Sequence, residues 1–275
     1  MDRQKRGAGR EEMKELITVA GLEKSFYMPA GEVKVLKGID AAFGEGEVVS
    51  IVGASGAGKS TFLHVLGTLD KPTQGKITYR IKDNQKGDCP GNPPIPPLVK
   101  GGEGGFVESG LSPCVIDPFS LSNGEIAVFR NSVIGFIFQF HYLLPEFTAI
   151  ENVMMPGMIA VSSQQSAAGD KEIYEKAGKL LDELGLYARK DHKPGELSGG
   201  EQQRVAVARA LFLEPKVVFA DEPTGNLDKA TGEELFRLLM EINSKHGTTF
   251  IIVTHNEHLS KRCHRIMEMV DGKLR

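Results

Sequence analysis

Four apolar runs punctuate the chain, at residues 48–52, 133–138, 216–220 and 248–254. Each is five to seven residues long, rich in Val, Ile and Phe, and continuous rather than alternating. That is the pattern of parallel strands covered on both faces. Between the runs apolar positions recur at helical spacing. Phe62, Leu63, Val65 and Leu66 form one stripe, and Ile173, Ala177, Leu180, Leu181 and Leu184 form another, closed by Gly185. Val205, Ala208, Leu211 and Phe212 make a third stripe. Leu235, Leu238, Leu239 and Ile242 make a fourth, for which Thr231-x-x-Glu234 is the start signal. Strands alternating with helices predict an α/β fold. Residues 14–52 depart from this, with strand-like pieces and a Gly44-Glu45-Gly46-Glu47 turn that predict a β-rich edge.

One stretch breaks the pattern. Residues 83–115 include Pro93-Pro94-Ile95-Pro96-Pro97 and Gly101-Gly102-Glu103-Gly104-Gly105, a composition that cannot build a packed core. We expect an insert there, disordered or extended, interrupting the β edge between Tyr79-Arg80-Ile81 and residues 121–130. Lengthening a surface connection from about 5 to about 40 residues costs only ~2 kcal/mol, so the fold would tolerate it. Residues 1–13 are polar and predict a flexible terminus.

Composition narrows the class. With 275 residues, 40% of them hydrophobic, the chain can bury one sizeable core with subdivisions. A net charge of −3 gives no electrostatic footprint for nucleic acid. No apolar run approaches the roughly 20 residues that cross a bilayer, so any work at a membrane would go through another polypeptide.

The chemistry clusters at strand ends. Gly53-Ala54-Ser55-Gly56-Ala57-Gly58-Lys59-Ser60, followed by Thr61, matches G-x-x-x-x-G-K-[ST] between the first strand and the first helix. Such a loop turns backbone N–H groups and a helix N-terminus toward phosphates. Lys59 would reach the β- and γ-phosphates, and Ser60 would ligate Mg²⁺. Asp221-Glu222 stands at the C-terminal end of the third strand, the end at which open α/β sheets bind ligands. Leu197-Ser198-Gly199-Gly200-Glu201 reads in two ways, as a capping box that starts a helix and as an anion site of N–H groups and a hydroxyl.

Together with Pro223-Thr224-Gly225-Asn226-Leu227-Asp228, these segments make the chain resemble the ATP-binding cassette (ABC) family. The resemblance implies a P-loop NTPase (RecA-like) nucleotide-binding domain over residues 14–275. An antiparallel β edge subdomain and an α-helical subdomain at about 140–215 would be part of it. It further implies ATP and Mg²⁺ as ligands, with Asp221 holding the metal through water and Glu222 acting as general base. His255 takes the position that contacts the γ-phosphate. Gln139 takes the position that touches the metal or the attacking water. Ser198, Gly199, Gly200 and Glu201 would cap an ATP held by a second copy of the chain. The adenine contact falls on Phe26, with Tyr27 as the alternative. Residues 138–153 resemble the branch that powers lipoprotein-releasing transporters of Gram-negative bacteria. That branch implies integral membrane permeases of the LolC and LolE kind and a place on the cytoplasmic face of the inner membrane. A MacB-like export ATPase and an FtsE-like regulatory ATPase are the alternatives.

Overall fold

The computed structural model describes residues 14–29, 31–81, 114–162 and 169–275. The terminus expected at 1–13 and residues 83–113 of the expected insert lie outside them. In chain order the first half contains β1 (Glu15–Met28), β2 (Gly31–Gly44), β3 (Val48–Val52), α1 (Lys59–Leu66), β4 (Gln74–Ile81), β5 (Cys114–Ile116), α2 (Asn123–Val133) and β6 (Ile134–Ile137). The second half contains α3 (Ala149–Ser162), α4 (Asp170–Glu183), α5 (Gly199–Leu211), β7 (Val217–Asp221), α6 (Lys229–His246), β8 (Thr249–Val253), α7 (Glu257–Ser260), β9 (Arg265–Val270) and β10 (Lys273–Leu274).

All four apolar runs are strands of one six-stranded sheet, ordered β10-β9-β3-β8-β7-β6. Its five long members are parallel, and only β10 runs back against β9. Val49, Ile51, Val218, Phe219 and Ile251 are fully buried, as strands covered on both faces require. A second, antiparallel sheet is ordered β2-β1-β4-β5. One hydrophobic cluster lies between this sheet, α1, α2 and one face of the parallel sheet, and a second packs α3, α4, α5 and α6 on the other face. The molecule is therefore a P-loop type α/β core with a β edge on one side and a helical part on the other.

Apart from shifts of one residue at the ends of β7 and β8, three boundaries differ from the sequence reading. The insert was expected through residue 115, but Cys114 and Val115 are strand residues that pair with Ile81 and Arg80. The described residues on either side of 82–113, Ile81 and Cys114, are partners in an antiparallel pair. Val133 ends α2 rather than starting the strand: the backbone turns extended only at Ile134, the C-cap, whose N–H still donates to Arg130 O. The fourth helical stripe is capped by Asp228, whose carboxylate accepts from Thr231 N at 3.1 Å and Oγ1 at 2.6 Å. Thr231 lies one turn inside that helix.

Candidate active site

The phosphate loop is shaped by close approaches that only glycine permits. Gly53 has φ +149°, and a Cβ there would lie 2.2 Å from the Met269 carbonyl oxygen in β9. The β9–β10 turn also supports the loop from below, with Gly272 N donating to Ala57 O at 3.0 Å. Gly58 (φ +104°) is the N-cap of α1 and provides no side-chain cap, and the first turn of that helix carries no acidic residue. Its leading N–H groups are left for an anion. Lys59 folds back on the loop, donating to Gly53 O at 2.8 Å and Ala54 O at 2.9 Å. A cavity of about 540 Å³ opens over the loop and the first turn of α1, lined also by Val35 of β2, Glu222 and His255.

Asp221 is the last residue of β7, where its Oδ1 accepts from Ser60 Oγ at 3.0 Å. His64 Nε2 lies 3.8 Å from Asp221 Oδ2. Burial raises the carboxyl of Asp221 above its ordinary value, with the Ser60 hydrogen bond acting in the opposite sense. A desolvated carboxylate beside a hydroxyl is a hard oxygen pair, and it suits Mg²⁺, which takes few protein ligands and fills the rest with water and phosphate.

Glu222 follows with φ +46°, a left-handed conformation that costs a side-chain-bearing residue of this kind about 1–3 kcal/mol. The conformation is held by the hydrogen bond from Glu222 N to Val253 O, 2.9 Å, across to β8. It aims the carboxylate into the cavity, where Oε2 lies 3.1 Å from His255 Nδ1. Two strand ends thus bring the expected base and the expected γ-phosphate contact together.

Gln139 is placed differently from the expectation of a metal contact. Its Nε2 donates to Asn226 Oδ1 at 3.2 Å, and Asn226 Nδ2 returns a bond to Gln139 O at 3.0 Å. The Gln139 amide is bound to the segment after Glu222 and not to Ser60 or Asp221. Gly225 is needed for this approach, since a Cβ there would sit 2.9 Å from Gln139 Nε2. Helix α5 holds the next stretch. Fully buried Gln203 donates to Phe138 O at 3.0 Å and meets His141 Nδ1, while Arg209 donates to His141 O and Tyr142 O at 2.8 and 2.7 Å. Buried Asn152 ties down the following turn through Leu144, Phe147 and Thr148. The stretch so fixed exposes Phe140, Tyr142, Leu144 and Phe147.

Ser198 is the N-cap of α5, and the capping box forms as the sequence implies. Ser198 N and Oγ each donate to Glu201 Oε2 at 2.8 Å, and these bonds hold the Glu201 carboxyl below its ordinary value. Ser198, Gly199, Gly200 and Glu201 are not among the residues around the phosphate-loop cavity. Within one chain the α5 helix start is therefore not part of the phosphate-loop cavity. Phe26 and Tyr27 are also outside that lining. Phe26 lies on the exposed β1–β2 hairpin with Lys24 Nζ 4.9 Å from its ring centre, and Tyr27 is 77% exposed. Sequence reasoning missed Val35, His64, Gln203, Arg209 and Asn152. A polar Gln or Asn within an apolar stripe was a visible signal for the buried pair, but nothing along the chain named their partners.

The profile of the ABC transporter family matches residues 36–99 and 109–225. The chain is 46% identical over 262 residues to the lipoprotein-releasing system ATP-binding protein LolD of Geobacter metallireducens, covering 95% of this chain and 99% of that one. It is 44% identical to LolD of Myxococcus xanthus, covering 94% and 98%. Among solved structures it resembles the dimeric bacterial ABC transporter cassette MJ0796, with TM-score 0.74, 34% identity and 94% and 96% coverage. A post-hydrolysis dimer of the same cassette bound to ADP and Pi matches with TM-score 0.74 and 33% identity.

Proposed function

The chain belongs to the ABC transporter family, and on that premise we propose that it is the ATP-hydrolysing subunit of a lipoprotein-releasing transporter, acting as a pair of copies. One observation supports the paired arrangement: the uncapped start of α1 opens on the phosphate-loop cavity, yet Ser198–Glu201, expected to cap the same phosphates, are not among the residues around that cavity within one chain. In a C2 sandwich each copy supplies to the other the half it lacks.

In this reading the backbone of residues 53–61 and Lys59 hold the nucleotide phosphates, which draws Lys59 away from its two carbonyls. Phe26 stacks on the base. Ser60 and Asp221 would hold Mg²⁺, which when bound neutralises phosphate charge. Glu222 takes a proton from the attacking water, and His255 keeps that carboxylate in place while contacting the γ-phosphate. Gln139 leaves Asn226 and turns toward the water when nucleotide is present. The reaction is phosphoryl transfer to water, driven by positioning and charge stabilisation. Because Gln203 and Arg209 bind α5 to residues 138–142, a displacement of the Ser198 helix carries the exposed ledge of Phe140, Tyr142, Leu144 and Phe147 with it. That ledge is the surface offered to the permeases. Among the described residues no helix is long and apolar enough to cross a membrane. By its likeness to the LolD proteins, the reading holds the chain on the cytoplasmic face of the inner membrane through partners of the LolC and LolE kind.

Purification of the tagged chain from detergent-solubilised membranes tests this. A co-purifying permease pair whose release of lipoprotein depends on ATP supports it. Recovery of an FtsX-like partner alone would overturn the lipoprotein assignment.

A further inference from the structure

Glu201 places a carboxylate where the proposed sandwich puts a phosphate. In the free chain both donors of Ser198 serve Glu201 Oε2, and those same donors would have to serve the γ-phosphate held by a second copy. An unpaired carboxylate at that spot would repel the incoming anion, the more so as closure removes water and its screening. The other oxygen of Glu201 is met from a separate element. Arg189, in the 3₁₀ turn Tyr187–Arg189 after α4, places its Nε 3.3 Å from Glu201 Oε1, with an Nη1 contact to His192 Nε2 at 3.3 Å. Arg204, the other cation near Glu201, directs its Nη1 toward Glu234 Oε1, 3.7 Å away.

We infer that Arg189 is a positioning residue of the shared site, neutralising Glu201 and holding it by Oε1 so that the Ser198 donors can pass to the partner copy's γ-phosphate. The inference rests on the sandwich reading. In the free chain the Arg189 side chain is about half exposed, so the ion pair adds little to folding. Its effect belongs to closure, where the charges lose water. Binding of nucleotide by a single copy uses the phosphate loop and is independent of it.

The test is an ATP titration of dimer formation by full-length chain carrying Glu222→Gln, followed by light scattering. Adding Arg189→Gln should raise the ATP needed for half-maximal dimer about tenfold. The melting temperature and the binding of a fluorescent ATP analogue to dilute monomer should stay put. Arg189→Lys should retain most of the function. Adding Glu201→Gln to Arg189→Gln should restore dimerisation, since Gln at that position still caps the helix but carries no charge. A titration unmoved by Arg189→Gln would overturn the inference, as would a defect that Glu201→Gln does not relieve, which would mark Arg189 as a prop for its own turn. If Glu222→Gln alone stays monomeric in saturating Mg-ATP, the sandwich reading itself fails and the inference falls with it.

Discussion

Helices α1 and α5 both offer an N-terminus to an anion, and they are finished in opposite ways. Helix α1 begins after Gly58, with no side-chain cap and no acid in its first turn. Helix α5 begins after Ser198, closed by its own Glu201. An open N-terminus presents unpaired N–H groups and about half a positive charge to any ligand. A capped one has a resident anion that must be displaced or neutralised first. The contrast separates the duties of the two ends. In the proposed reading the α1 end binds nucleotide in a lone copy, and the α5 end answers only when a second copy brings charge strong enough to compete.

The sharpest way to break this comparison is at the chemistry of the first end. Glu222→Gln should lower ATP turnover by about 10³-fold while leaving nucleotide affinity near that of the parent, read by steady-state hydrolysis and equilibrium binding. Undiminished turnover would put the base elsewhere. Next in size is the backbone of the same end. Gly53→Ala must displace the Met269 carbonyl and adopt a strained φ, so it should cost about 3 kcal/mol of unfolding free energy and abolish nucleotide binding. At the α5 end Gly199→Ala meets only Leu227 Cδ2 at 3.8 Å, and denaturant unfolding should move by under about 1 kcal/mol. Ser198→Ala removes the cap itself and should cost about 1 kcal/mol of stability, with monomer nucleotide binding unchanged.

The smallest effect lies away from both ends. Glu183, at the end of α4, meets Lys245 and His246 at the end of α6, and the Lys245 hydrogen bond holds its carboxyl below the ordinary value. A lowered folded-state pKa contributes stability above the unfolded value of about 4.3, and that stability is lost as pH falls through the folded value. Glu183→Gln should therefore cost about 0.5 kcal/mol at pH 7 and nothing once acid has protonated the parent carboxylate, as followed by unfolding across pH.

Four strands of the parallel core and the phosphate loop were legible because each depended on local text. Continuous Val, Ile and Phe runs marked buried strands, and the glycine loop named its own neighbours. Ser198 and Glu201 are three apart, so their capping box could be read directly. What stayed illegible depended on contacts between distant segments. Strands β9 and β10 have no continuous apolar run, with Arg265 and Glu268 in the first of them, yet the Met269 carbonyl and Gly272 set the shape of the phosphate loop. The Asp228 cap could not be told from Thr231, since both are good capping residues three positions apart and only the backbone decides between them. Arg189 and Glu201 are joined across a turn whose path no periodicity reports.

The claim that two copies share each nucleotide is tested most directly by the hydrolysis rate per chain, measured against protein concentration for the parent and for Ser198→Phe. The account predicts a parent rate per chain that climbs with concentration, and a variant at least about 100-fold slower at concentrations where the parent rate has levelled off, because the bulky ring blocks the second half of the site. A parent rate per chain that stays constant down to single copies, or a Ser198→Phe chain that hydrolyses ATP as fast as the parent does at high concentration, would contradict it.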